Sequence, residues 1–186
     1  MKAKAENVKF VLFFAAALWV VHVVNWLLSL RLERFGILPR TLRGLIGIIL
    51  SPFLHANFFH LIGNTIPLLV LSLLLVVFYE KIAPAVIGIV VIVGGSLVWV
   101  LGRSAIHIGA SGVIYGIAAF LIVYGFIKKN IVSIILAVIV AFLYGGSMLS
   151  GILPVRGIVS WESHLFSAAA GVFAAYSLRK EPVAEA

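Results

Sequence analysis

Ser111 lies in the run Gly109-Ala110-Ser111-Gly112, where an apolar stretch begins. A serine hydroxyl becomes a nucleophile when a base stands beside it. At a helix start it also has unpaired backbone N–H groups nearby, which can hold an anion. The flanking glycines, Gly109 and Gly112, permit a tight turn and the close approach of another backbone. The same four residues also read as a plain N-cap in a tight loop. His164 offers the base. It stands near the start of Ser163-His164-Leu165-Phe166-Ser167-Ala168-Ala169-Ala170-Gly171. On a helix, Ser167, Ala168 and Gly171 share its face. Ser111, Tyr115 and Ala118 or Ala119 form a matching stripe, with Gly116 beside it. Small residues at this spacing let two membrane helices approach closely. If the stripes pack, His164 comes near Ser111 and Tyr115, and Tyr115 either stacks on the imidazole or simply packs. The plainer reading is an interfacial histidine above a small-residue seam.

His55, His60 and Asn64 follow at i, i+5 and i+9. His60 and Asn64 are four apart and share a helical face. Both can donate hydrogen bonds to a developing oxyanion. They also read as polar glue between helices. Zinc does not fit, because the segment is His-x-x-x-x-His rather than His-Glu-x-x-His. The interiors of the first four apolar spans supply no carboxylate either. No metal or other cofactor is expected. Glu162 precedes His164 by two residues, so on a helix the two face different ways. The expectation is a Ser111–His164 dyad without a carboxylate. His22, Asn25 and His107 read as structural.

These groups need elements to hold them, and the composition says what those are. The chain has 186 residues, 63% hydrophobic and 11% charged, with mean hydropathy +1.23. A soluble domain is about half apolar and about a quarter charged. This chain could not cover a soluble surface, and its solvent is a lipid bilayer. A membrane helix needs about 20 apolar residues. Cutting at charges and at Pro/Gly clusters predicts six spans, at 8–30, 57–79, 83–101, 111–127, 130–148 and 163–178. The first apolar run, Phe10 to Leu30, exceeds the roughly 7–15 residues of a signal-peptide core and is read as a retained span. Two connections are long, 31–56 and 147–162. From Gly44 to Tyr79 there is no charged residue. Pro52, His55, Asn57, His60 and Asn64 break that stretch into a half-inserted loop and a span beginning near Asn57. Non-helical backbone at membrane depth is tolerated only where protein buries it or a wet cavity borders it. The expected fold is therefore an all-α membrane protein, a six-helix bundle forming one domain over residues 1–180, with a disordered tail at 181–186.

The net charge is 14 − 6 = +8. The basic residues stand singly or in pairs at the ends of apolar runs, which suits headgroup contact and orientation rather than nucleic-acid binding. With the N-terminus cytoplasmic, that side carries eight basic residues, including every lysine, against six arginines opposite. Both termini are then cytoplasmic. The absence of cysteine excludes disulfide and thiolate chemistry.

Taken together and in order, these segments resemble the rhomboid family of intramembrane serine proteases. His55-Ala56-Asn57-Phe58-Phe59-His60-Leu61-Ile62-Gly63-Asn64 is similar to its His-x4-His-x3-Asn segment on the second span. Gly109-Ala110-Ser111-Gly112, with Tyr115 and Gly116, is similar to its Gly-x-Ser-Gly motif opening the fourth. His164 with Gly171 is similar to its histidine motif on the sixth. The resemblance covers nearly the whole chain. It implies Ser111 as nucleophile and His164 as base and then acid. It implies His60, Asn64 and the Ser111 N–H as the oxyanion hole, His55 as a tie between the first loop and the second span, and Tyr115 packed on His164. It implies transmembrane proteins as substrates, with a small residue before the cut. The chain departs from the family pattern with Ser163 for alanine, Ser167 for glycine, and Pro39-Arg40-Thr41 where a Trp-Arg pair is frequent. An inactive client-binding relative and a small transporter or channel subunit are the alternatives. The compact chain suggests a prokaryotic inner membrane.

Overall fold

The structure, a computed structural model, describes residues 2–154 and 160–181. Arg156 and the expected tail beyond Glu181 lie outside the described residues. Seven helices form among them. The first, α1, is Lys2–Leu28. A connection follows with a short helix, α2, Leu42–Leu50. Then come α3, Phe58–Phe78, α4, Ala83–Leu101, α5, Ser111–Lys128, α6, Ile131–Gly151, and α7, Trp161–Ser177. The chain is thus an all-helical, multi-pass bundle, with α1 and α3–α7 in the places of the six expected spans. Five of these are long and apolar enough to cross a membrane by length and composition. The last, α7, has 17 residues, at the short end of the roughly 17–25 that suffice.

The boundaries differ from expectation at two places. The first helix begins at Lys2 rather than residue 8, because Lys, Glu and Ala are good helix formers whatever their polarity. Cutting at charges locates the apolar stretch and leaves the helix end open. At the other end of the chain, α6 runs on through Ser147 and Ser150 to Gly151, so the second long connection is shorter than the expected 147–162. Both serines bond carbonyls three residues back, Ser147 Oγ to Tyr144 O and Ser150 Oγ to Ser147 O, and stay inside the helix.

Side chains close the helix ends. Asn25 turns the chain after α1, its Oδ1 accepting from the Leu32 N–H and its Nδ2 donating to Glu33. Thr41 caps α2, accepting from the Gly44 N–H at 3.1 Å. Asn57 caps α3, accepting from the His60 N–H at 2.8 Å. The α2 backbone presses directly on the preceding loop, since a Cβ at Gly44 would collide with Leu38 and one at Gly47 with Gly36. Its apolar side chains Leu42, Ile46 and Ile49 point outward and are exposed.

Within lipid, helices gain little from hiding apolar surface and associate through close packing. Small residues supply that here. A Cβ at Gly171 on α7 would collide with the Gly116 carbonyl on α5, and one at Gly94 on α4 would lie 2.8 Å from Ser167 Oγ. Gly94 ends a π-helical turn, Val90–Gly94, inside α4. The central helix is α5, with 56% of its spanning window buried, whereas α6 at 22% is the most peripheral. One end of the bundle gathers the start of α1 and the ends of α5 and α7. There Asn7 bonds the Glu80 carbonyl, and Lys128 bonds those of Arg179 and Glu181. At the opposite end, a two-residue bridge pairs Ile37 with His107, and the turn leading to Ser111 begins.

Candidate active site

Ser111 is the first residue of α5, and the capping position belongs to Ala110. The Ser111 hydroxyl is therefore not spent on capping. It lies 2.8 Å from His164 Nε2. The other imidazole nitrogen, Nδ1, is 2.9 Å from the Gly151 carbonyl at the end of α6. A carbonyl only accepts, so Nδ1 carries the proton and Nε2 presents its lone pair to the hydroxyl. Tyr115, one turn along α5 from Ser111, stacks on the imidazole with centroids 4.0 Å apart and planes 8° from parallel. Its hydroxyl donates to the Ser147 carbonyl at 2.9 Å.

The serine and histidine meet because α5 and α7 touch along their small residues below them. Ser167 stands where a glycine was the family expectation. Its Oγ packs against Gly94 and Gly112, where added Cβ atoms would lie 2.8 and 2.9 Å away. Two glycines across the seam make room for the extra hydroxyl.

His60 and Asn64, on one face of α3, border the same cavity as Ser111, Tyr115 and His164, a space of about 450 Å³. Asn64 is buried, and its Nδ2 has no hydrogen-bond partner among the described residues. A buried unmatched donor is costly unless something arrives to use it. Gly109 brings the turn before Ser111 against both. It adopts φ +112°, and a Cβ there would lie 2.8 Å from the His60 ring and 3.5 Å from Asn64 Nδ2. Glycine is required for the conformation and for the approach.

His55, in the loop before α3, touches both that helix and the serine turn. Its ring edge meets His60, with centroids 5.0 Å apart, but its hydrogen bond goes to the serine turn, where the Ala110 N–H donates to Nε2 at 3.4 Å. Burial and the adjacent His60 push His55 down to about 4. It is neutral at physiological pH and free to accept. Glu162 turns away from His164 toward Arg103, Oε1 to Nε 3.4 Å, so no carboxylate among the described residues bonds the imidazole. Arg40, in the segment that replaces the family's Trp-Arg, is exposed and lies across the end of α4, bonding the carbonyls of Val100 and Gly102. No group of three metal-binding side chains occurs among the described residues. Gly151 is a site group that the sequence did not announce. It contributes a backbone carbonyl, and a Cβ there would collide with the Tyr115 hydroxyl.

The fold and site define a multi-pass helical membrane protein in which a serine and a histidine from two helix starts share one hydrogen bond beside a polar cavity. The Rhomboid domain family matches residues 42–181. Similar chains include Rv1337 of Mycobacterium tuberculosis (strain H37Rv), 42% identical over 177 residues, with 90% of this chain and 73% of that one covered. Another is ML1171 of Mycobacterium leprae (strain TN), 41% identical over 177 residues, covering 90% and 70%. Both are described as uncharacterized proteins. The chain belongs to the rhomboid family.

Proposed function

We propose that this protein is an intramembrane serine endopeptidase that cuts peptide bonds in or near transmembrane segments of other membrane proteins. The observation that carries the reading is the Ser111 Oγ–His164 Nε2 contact of 2.8 Å, with the tautomer set from behind by Gly151. In this reading Ser111 attacks the scissile carbonyl while its proton passes to Nε2. The imidazolium then gives that proton to the departing amine, leaving an acyl-enzyme. Water, deprotonated by the same Nε2, releases the acid and restores the serine. The oxyanion is met by His60, Asn64 Nδ2 and the Ser111 N–H at the start of α5. A helical substrate hides its carbonyls in its own hydrogen bonds and must unwind at the cut, so helix-weakening residues mark good substrates.

The same reading takes residues 1–180 as one domain in a prokaryotic inner membrane with both termini cytoplasmic. The gathering of lysines at the end of the bundle opposite Ser111 supports that orientation.

The test uses purified wild type, Ser111→Ala and His164→Ala in mild detergent, with a fluorophosphonate probe and a single-span substrate. Wild type labels and cleaves, Ser111→Ala does neither, and His164→Ala does not cleave. A folded wild type that neither labels nor cuts any of several substrates sinks the enzyme and leaves an inactive client-binding protein.

A further inference from the structure

Glu162 is 2% exposed, and the chemistry above gives it no task. Burying a carboxylate is costly unless a cation compensates it. Arg103 faces it as an ion pair, Nε 3.4 Å from Oε1, with neither carboxylate oxygen hydrogen-bonded among the described residues, and the Arg103 side chain is 38% exposed at the rim. The two residues belong to different arms of the site. Arg103 lies in the turn that runs from α4 to Ser111. Glu162 lies in the first turn of α7, just ahead of His164.

A second link runs beside the ion pair. His107, on the serine arm, is 1% exposed. Its Nε2 lies 3.2 Å from the Arg103 carbonyl, so Nε2 carries the proton and Nδ1 accepts. The Ser160 hydroxyl therefore donates to Nδ1. With its proton committed, Ser160 Oγ accepts from the Ser163 hydroxyl at 3.1 Å. The Ser160 carbonyl takes the backbone N–H of His164 at 3.3 Å. The chain of bonds thus leads from the serine arm to the histidine itself. The far side of the serine arm is fixed as well, by two backbone bonds between His107 and Ile37 and by Arg40 on the Gly102 carbonyl.

We propose that Glu162 is a positioning residue: with Arg103, and alongside the His107–Ser160–Ser163 chain, it straps the start of α5 to the start of α7 and sets the spacing of Ser111 and His164. The seam of glycines and serines below brings the helices close, but van der Waals contact is undirected. The strap adds charge attraction from Glu162 and Arg103 and directed bonds from the His107–Ser160–Ser163 chain, at the level where register decides reactivity. Its catalytic consequence rests on the protease reading, whereas its structural consequence does not.

The experiment compares wild type, Glu162→Gln, Arg103→Gln, the double variant and Glu6→Gln by backbone hydrogen exchange and by steady-state cleavage. Glu6 forms an exposed pair with Lys9 and serves as the control of equal chemistry. In Glu162→Gln, exchange rises together in segments 103–110 and 160–165. Its kcat falls about tenfold while KM stays within about twofold, because a misplacement of about 1 Å can cost on the order of 10²-fold. Arg103→Gln strands the carboxylate and lowers the unfolding temperature further, and the double variant recovers part of that loss. Glu6→Gln changes neither readout. The strap is overturned if exchange in Glu162→Gln matches wild type, or rises in only one arm, or if kcat survives in a cleaving enzyme. If wild type does not cleave at all, the protease reading fails, and coupled exchange alone decides the strap.

Discussion

His164 can act as a base only with its proton on Nδ1, and it gets that arrangement from a backbone carbonyl rather than a carboxylate. The serine–histidine contact should behave as one unit. Ser111→Ala and His164→Ala each lower kcat by at least about 10³-fold, and the double variant is no slower than either single one. Single-turnover cleavage in detergent measures all three, and additive losses would show that the residues act separately. Asn64→Ala removes a donor that has no partner at rest among the described residues. Its kcat should fall about 10²- to 10³-fold with little change in KM, as for other oxyanion donors. An unchanged kcat would move the oxyanion elsewhere. The side chains of this site were legible because histidine, serine and asparagine are conspicuous in apolar sequence, and their spacing placed them on helix faces. Gly151 was not, since a carbonyl has no residue signature. His55 was legible as a polar anchor, but its bond to the Ala110 N–H was not, because that depends on how the Gly109 turn folds back.

Among the elements, the α5–α7 seam does the positioning, and its tolerance is narrow. A methyl at Gly171 meets the backbone of Gly116, which cannot rotate away. Gly171→Ala should therefore cost about 1–3 kcal/mol, the usual range for overpacking, and lower kcat as Ser111 and His164 part. Gly88, on the exposed side of α4, is different, because a Cβ added there would meet nothing within 4 Å. Gly88→Ala should raise stability by up to about 1 kcal/mol through helix propensity. Thermal unfolding in one detergent compares the pair, and equal shifts would refute the seam as a tight joint. The spans were readable from sequence because charge is scarce and falls at their ends. The small-residue seam was readable between α5 and α7. The share taken by α4 was not, because it depends on Gly94 lying at a π turn, and the apolar run Val90–Val93 gives no sign of one.

At the scale of the molecule, the polar cavity with the serine–histidine pair occupies one end and the lysines the other. Orientation can be tested cleanly, since the chain has no cysteine. A membrane-impermeant maleimide applied to intact cells should label Arg34→Cys, while Lys180→Cys should react only after permeabilisation. The opposite pattern would invert the assignment. That the protein lives in a bilayer was evident from composition alone, for 63% hydrophobic residues leave too little polar material to wet a surface. The relative placement of loops was not evident. The pairing of Ile37 with His107, far apart in the chain, comes from tertiary packing that no local pattern encodes.

The carbonyl that orders His164 sits on the outermost turn of α6, the helix least enclosed by its neighbours. That turn also holds the Tyr115 hydroxyl through Ser147. Near its other end α6 packs tightly on α5, where a Cβ at Gly125 would collide with the Ser133 backbone. A displacement of the Gly151 end of α6 would take both carbonyls away at once, leaving the Nδ1–H of His164 and the Tyr115 hydroxyl without these acceptors. The packing of the most peripheral span and the tautomer of His164 are therefore tied together through one backbone carbonyl.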